Sequence, residues 1–95
     1  METKVQLQHP AGKKAVSMDI VKYETLKKAL LSHLRSKGAS THTEIFQAIT
    51  ENFKKNKIKF EGSVEWHLEW VKLDLESRKE IKRLDDKSHL KFAIA

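Results

Sequence analysis

The side chains in this sequence able to do chemistry are five histidines, thirteen carboxylates and nineteen lysines and arginines, with no cysteine. Without cysteine there is no disulfide, thiolate ligand, thiol nucleophile or redox switch. His9, His33, His42, His67 and His89 lack the H-E-x-x-H pattern or any comparable ligand spacing, so neither a metal nor a cofactor is expected. Three glycines scattered along the chain build no phosphate-cradling loop. Asp74 and the run Glu80-Ile81-Lys82 have the residue types of a nuclease site, but without the strand core and spacing such a site needs. On a helix, Asp74 reads as a solvated charge. Asp85 and Asp86 read as turn formers, His42 as a residue of a helix's first turn, and His67 as the flank of a helix stripe. On this inventory the chain is expected to be non-enzymatic.

What remains is binding. The formal charge is +6 and the sequence pI about 9.6, which suits an anionic partner without proving one. The cations cluster at Lys54, Lys55, Lys57 and Lys59, at Arg78, Lys79, Lys82 and Arg83, and at Lys87 and Lys91. Expected contacts to duplex DNA are Lys72, Arg78, Lys82, Arg83 and Lys87, with His67 and Lys72 the polar side chains placed to reach base edges. Yet from Gly62 to Glu80 three cations stand against five carboxylates. A net acidic segment entering the major groove meets phosphate repulsion and releases no counterions. Binding of this kind would be to the backbone, weak in sequence preference. The alternative is a protein-interaction surface, for a homodimer or another partner, made by Trp66, Trp70 and Leu73. Against it stands a plainer reading, in which Val5, Leu7 and Val16 of an N-terminal arm cover these residues as extra core. Base stacking on Trp66 or Trp70 would require a single-stranded ligand.

The elements that must position these residues are legible from periodicity. Val5 and Leu7 alternate with polar neighbours, His9-Pro10-Ala11-Gly12 supplies a turn, and Lys14-Ala15-Val16 returns, giving a short β arm over residues 1–17. A helix capped by Ser17 or Asp19 runs to Lys37 before Gly38, with Ile20, Tyr23, Leu26, Leu30 and Leu34 on one face. Thr41-His42-Thr43-Glu44 is a capping box opening a second helix, whose buried stripe is Ile45, Phe46, Ile49 and Phe53. Ile58 and Phe60, in the loop that follows, are expected to tuck back onto the core. Ser63 caps a third helix running to about Lys79. In it Val64, Leu68, Val71 and Leu75 share one arc of about 60°, while Trp66, Trp70 and Leu73 share another roughly opposite. Glu80–Leu84 and His89–Ile94 then alternate as a hairpin, with Leu90, Phe92 and Ile94 on one face.

At 95 residues there is room for one small core. Three helices followed by a hairpin make an α+β order, that of a winged helix-turn-helix: an arm over 1–17, a three-helix core over 18–79 and a wing over 80–95. Leu73-Asp74-Leu75-Glu76-Ser77-Arg78-Lys79-Glu80-Ile81 resembles the end of recognition helices in winged-helix regulators. The longer run Gly62-Ser63-Val64-Glu65-Trp66-His67-Leu68-Glu69-Trp70-Val71-Lys72-Leu73-Asp74-Leu75-Glu76, with the His9-Pro10-Ala11-Gly12 turn and Tyr23, resembles a family of small bacterial proteins of uncharacterised function. That resemblance implies a winged-helix-like fold, no known activity, and glycine where this chain has Lys79. No apolar run approaches the roughly 20 residues of a membrane span, and Met1–Gln6 has no signal-peptide core, so a cytoplasmic chain is expected. The function expected from sequence is modest, electrostatic DNA binding, with protein interaction as the alternative.

Overall fold

The computed structural model describes residues 4–85 and 90–95. The chain forms β1 (Lys4–Gln6), β2 (Ser17–Asp19), α1 (Ile20–Lys37), β3 (Ser40–Thr41), α2 (His42–Lys55), α3 (Val64–Ser77), β4 (Ile81–Asp85) and β5 (Leu90–Ile94). It is an α+β arrangement of three helices and two small antiparallel sheets.

Each helix starts where a side chain can satisfy its first free amides. The Asp19 carboxylate accepts from Lys22 N and Ser63 Oγ from Trp66 N. At α2 the capping box is complete: Thr41 Oγ1 accepts from Glu44 N, and Glu44 Oε1 accepts from Thr41 N. Ser17, the other expected cap, lies instead in β2, which begins just after the apolar pair Ala15-Val16. Helix α3 stops at Ser77, two residues before the expected end, through a left-handed Lys79 with φ 63°. Lys79 N donates to Glu76 O and Glu80 N to Leu75 O, the paired bonds that close a helix through a left-handed residue. The helix therefore adopts at lysine a backbone shape that normally favours glycine.

The core is assembled from Tyr23, Leu26, Leu30 and Leu34 of α1, Ile45, Ile49 and Phe53 of α2, and Leu68, Val71 and Leu75 of α3. Ile81 and Phe92 close one end, and Leu7 and Met18 bring the arm into it. Two expected core residues stay wet: Ile20 is 43% exposed and Ile58 39%. Ile20 is the first residue of α1, ahead of the buried turn. Ile58 follows the left-handed Lys57 and lines an open cleft beside Ile49 and Phe53, while Phe60 packs back, stacking on Phe53 at 5.7 Å.

The arm is a two-stranded ribbon, with Val5 opposite Met18 and Leu7 N donating to Val16 O. The second sheet has the order β3-β5-β4, so β5 is central. Phe92 sits opposite Ser40 on one side and Arg83 on the other. The two-residue β3, which carries no hydrophobic pattern, was not expected from sequence. It ties the start of α2 to the hairpin and so places His42 against β5 and α3.

Candidate functional site on helix α3

Helix α3 has a different neighbour on each side, and each side holds one of the residues singled out above. Toward the arm and α1 lies Asp74, 0% exposed, not the solvated charge its helical position suggested. One carboxylate oxygen accepts from Gln8 N at 2.8 Å, the other from the Tyr23 hydroxyl at 2.5 Å, and Arg78 Nε reaches both at 2.9–3.0 Å. The arm crossing beside α3 shuts out water, and three donors replace it, as a buried carboxylate requires. Burial and the bond to Asp74 push the Tyr23 hydroxyl well above the ordinary tyrosine range. A separate bond, from Arg78 Nε to the same carboxylate, holds the Arg78 guanidinium above its own range. Arg78 Nη2 also approaches Gln6 O at 3.4 Å, so this cation is a clasp between α3 and the arm.

Toward the second sheet lies Lys72, only 5% exposed. Its Nζ lies 2.6 Å from His42 Nδ1, pairs with Glu69 Oε1 at 3.0 Å, an oxygen that is itself 3.1 Å from the same Nδ1, and stands 4.3 Å from the centre of the Phe92 ring. Burial lowers the Lys72 ammonium below the usual lysine range, opposed by Glu69. His42 Nε2 faces Glu65 Oε2 at 3.3 Å. Arg83 of β4 is bound to Glu76 at 3.0 Å and stacks over Phe92 from 5.5 Å. Together His42, Glu69, Lys72 and Arg83 ring a cleft of about 350 Å³ whose apolar walls are Leu73, Leu90 and Phe92.

Toward solvent lie the tryptophans. Trp66 is 47% exposed. Its ring makes edge contacts with His67 at 4.9 Å and Trp70 at 6.4 Å. Trp70 is half-buried and takes the edge of His9 from the arm's turn at 6.5 Å. The arm thus reaches Trp70 through His9, while Trp66 stays largely exposed, so the plainer reading of Trp66, Trp70 and Leu73 as core beneath the arm does not hold for Trp66. Leu73 is half-buried between Trp70 and the cleft.

Of the expected DNA contacts, Lys72 is buried in an ion pair and Arg78 is committed to Asp74. Arg83 is bound to Glu76, Lys82 is exposed on β4, and Lys87 lies outside the described residues. His67, the other candidate for base edges, bonds the Ser63 carbonyl through Nδ1 at 2.7 Å and takes Phe60 against its ring. The structure brings Lys72 and Arg83 together around one cleft, on a different side of α3 from Arg78. Sequence reading missed Asp74, Tyr23 and His42 as site residues. Asp74 did carry a signal: a carboxylate set among Trp70, Val71, Leu73 and Leu75, with arginine one turn later. No comparable signal marked His42, whose neighbours come from α3 and β5. Among the described residues no group of His, Asp and Glu is arranged to hold a metal ion, and no helix is long and apolar enough to cross a membrane.

A family model described as "Family of unknown function (DUF6958)" matches residues 4–92 of this chain. No curated protein and no solved structure matches it.

Proposed function

Because the chain belongs to this family of unknown function, which brings no activity with it, we propose a function from the geometry: a non-enzymatic winged-helix domain that docks a protein partner on the outward face of α3. The winged-helix assignment is supported by the element order α1-β3-α2-α3-β4-β5 and by a sheet in which the last strand lies between the first and the second. In that arrangement α3 is the helix that usually faces a ligand, and β4 and β5 are the wing. A cytoplasmic, bacterial setting goes with this reading.

The observation that carries the docking role is Trp66. A large aromatic left half-exposed in the first turn of an outward helix face is the kind of residue that anchors protein interfaces. Around it stand the exposed carboxylates Glu65 and Glu69, which suit a partner bearing lysine or arginine beside an apolar anchor. They repel a phosphate backbone. Lys72, the cation within α3, is buried and pairs with Glu69, so it presents no charge of its own on the outward face, where Glu65 stands exposed.

A photo-reactive phenylalanine analogue at position 66 tests this in living cells. The expected result is one protein adduct of discrete mass, lost when Glu65→Lys and Glu69→Lys are added. A nuclease-sensitive adduct, or none, would overturn the docking reading. The second reading, phosphate binding through the hairpin, is favoured by the exposure of Lys82 on β4. A random-sequence duplex titrated at low salt would then shift amides of β4 and β5 and leave the outward face of α3 unmoved.

A further inference from the structure

We propose that the cleft between α3 and the β4–β5 hairpin is a binding site for a small neutral carbonyl compound, an aliphatic or aromatic aldehyde, which Lys72 captures as a protonated imine. The cleft, about 350 Å³, lies at the small end of the range for ligand pockets, roughly 300–1,000 Å³. Its walls, Leu73, Leu90 and Phe92, are apolar, and two of its polar groups, His42 and Glu69, meet the Lys72 amine.

The charges choose the ligand class. Two cations face the cleft, Lys72 and Arg83, and each already has its carboxylate, Glu69 and Glu76. Glu65 adds a further negative charge beside His42. An anionic ligand would have to displace one of these carboxylates and then lie beside it. A neutral electrophile displaces nothing.

The chemistry balances on groups already in place. The Lys72 ammonium gives a proton to His42 Nδ1, 2.6 Å away, and the freed amine adds to the carbonyl carbon. The nitrogen's proton passes to the former carbonyl oxygen, giving a neutral carbinolamine. The imidazolium returns its proton to that hydroxyl, which leaves as water, and the nitrogen lone pair closes the C=N bond. Ammonium plus aldehyde has become iminium plus water, with the single positive charge retained. That charge stays over the Phe92 ring and against Glu69, the two partners that hold the ammonium now. Burial favours the uncharged amine that must attack. No turnover is implied: the product is a reversible covalent complex.

The test uses the whole protein with benzaldehyde and cyanoborohydride near neutral pH, mapping adducts by peptide mass spectrometry. Lys72 is expected to carry most of the first adduct although the chain has sixteen lysines. Adducts spread over the exposed lysines with Lys72 spared would overturn the proposal. Lys72→Arg keeps the charge and is expected to abolish the selective adduct, its fold checked by the amide spectrum; an undiminished yield would also overturn it. His42→Gln is expected to slow adduct formation on the order of 100-fold, and an unchanged rate would remove His42 from the mechanism. Finally, 4-carboxybenzaldehyde is expected to react more slowly than benzaldehyde, and the reverse order would refute the neutral ligand class.

Discussion

Replacing Asp74 by alanine is the most demanding perturbation of this structure, because one carboxylate joins the arm, α1 and α3. It accepts from Gln8 N, the Tyr23 hydroxyl and Arg78 Nε. These three donors do not suffer equally when it goes. The Arg78 side chain is 34% exposed and can turn to water, and Gln8 N lies in an exposed residue of the arm. The Tyr23 hydroxyl is enclosed and is left unpaired. A hydrogen bond to a charged group contributes about 1.5–3 kcal/mol, and breaking a buried charged contact from one side costs about 3–5 kcal/mol. The expected loss is therefore about 4 kcal/mol, or roughly 15–30 °C in Tm for a domain of this size. Urea unfolding followed by circular dichroism measures it. Because the arm's turn rests on Trp70, freeing the arm should also move tryptophan emission to longer wavelength before the main transition. A double-mutant cycle with Tyr23→Phe should give a coupling of about 1–3 kcal/mol. A loss below about 1 kcal/mol, or losses that simply add, would refute the claim that Asp74 clasps the three elements.

Three further outcomes follow from the same geometry. The Tyr23 hydroxyl is held protonated in the fold well above its unfolded value of about 10. Above pH 10 the native state thus binds more protons than the unfolded one, and this contribution, complete at lower pH, is lost as pH rises; wild type should lose up to about 1.4 kcal/mol per pH unit relative to Tyr23→Phe in alkaline urea titrations. Lys79→Gly should raise stability by about 1 kcal/mol in the same assay, since φ is 63° there and a side chain penalises that conformation; a loss would mean the lysine side chain contributes a contact. Trp66→Ala should cost about 1 kcal/mol or less and Trp70→Ala about 2–3 kcal/mol, because only Trp70 packs against the core; equal costs would contradict the division between an anchor and a covered ring.

What could be read beforehand was whatever rests on neighbours in sequence. The Thr41–Glu44 capping box, the Ser63 cap and, Ile20 apart, most of the apolar stripes of the helices depend on spacing within a turn or two, and they lie where that spacing puts them. The short strand β3 was hidden because two residues, Ser40 and Thr41, carry no period; only pairing with Phe92 and Lys91 makes them a strand. The site was harder for the same reason. Lys72 and Asp74 look like ordinary charges on a mixed helix until β5, the arm and α1 arrive to bury them. The left-handed exit at Lys79 is a different case: the chain lacks the glycine that would have announced it, yet the bonds from Lys79 N and Glu80 N still close the helix there.

The consequence for function comes from how α3 divides its sides. A helix that reads a base sequence needs a free polar face, with cations near enough to hold it in the groove. Here the cations that flank the helix, Lys72, Arg78 and Arg83, each answer a carboxylate on α3 itself: Glu69, Asp74 and Glu76. Positive charge carried by those residues therefore does internal work. The excess that makes the chain basic is in Lys54, Lys55, Lys57 and Lys59 and along α1, outside α3 itself. Basicity and the exposed aromatic thus belong to different elements, the aromatic to α3 and most of the cations to α1 and the loop after α2. The pI supports solubility and nonspecific attraction, whereas a specific partner has to satisfy Trp66 with Glu65 and Glu69 beside it.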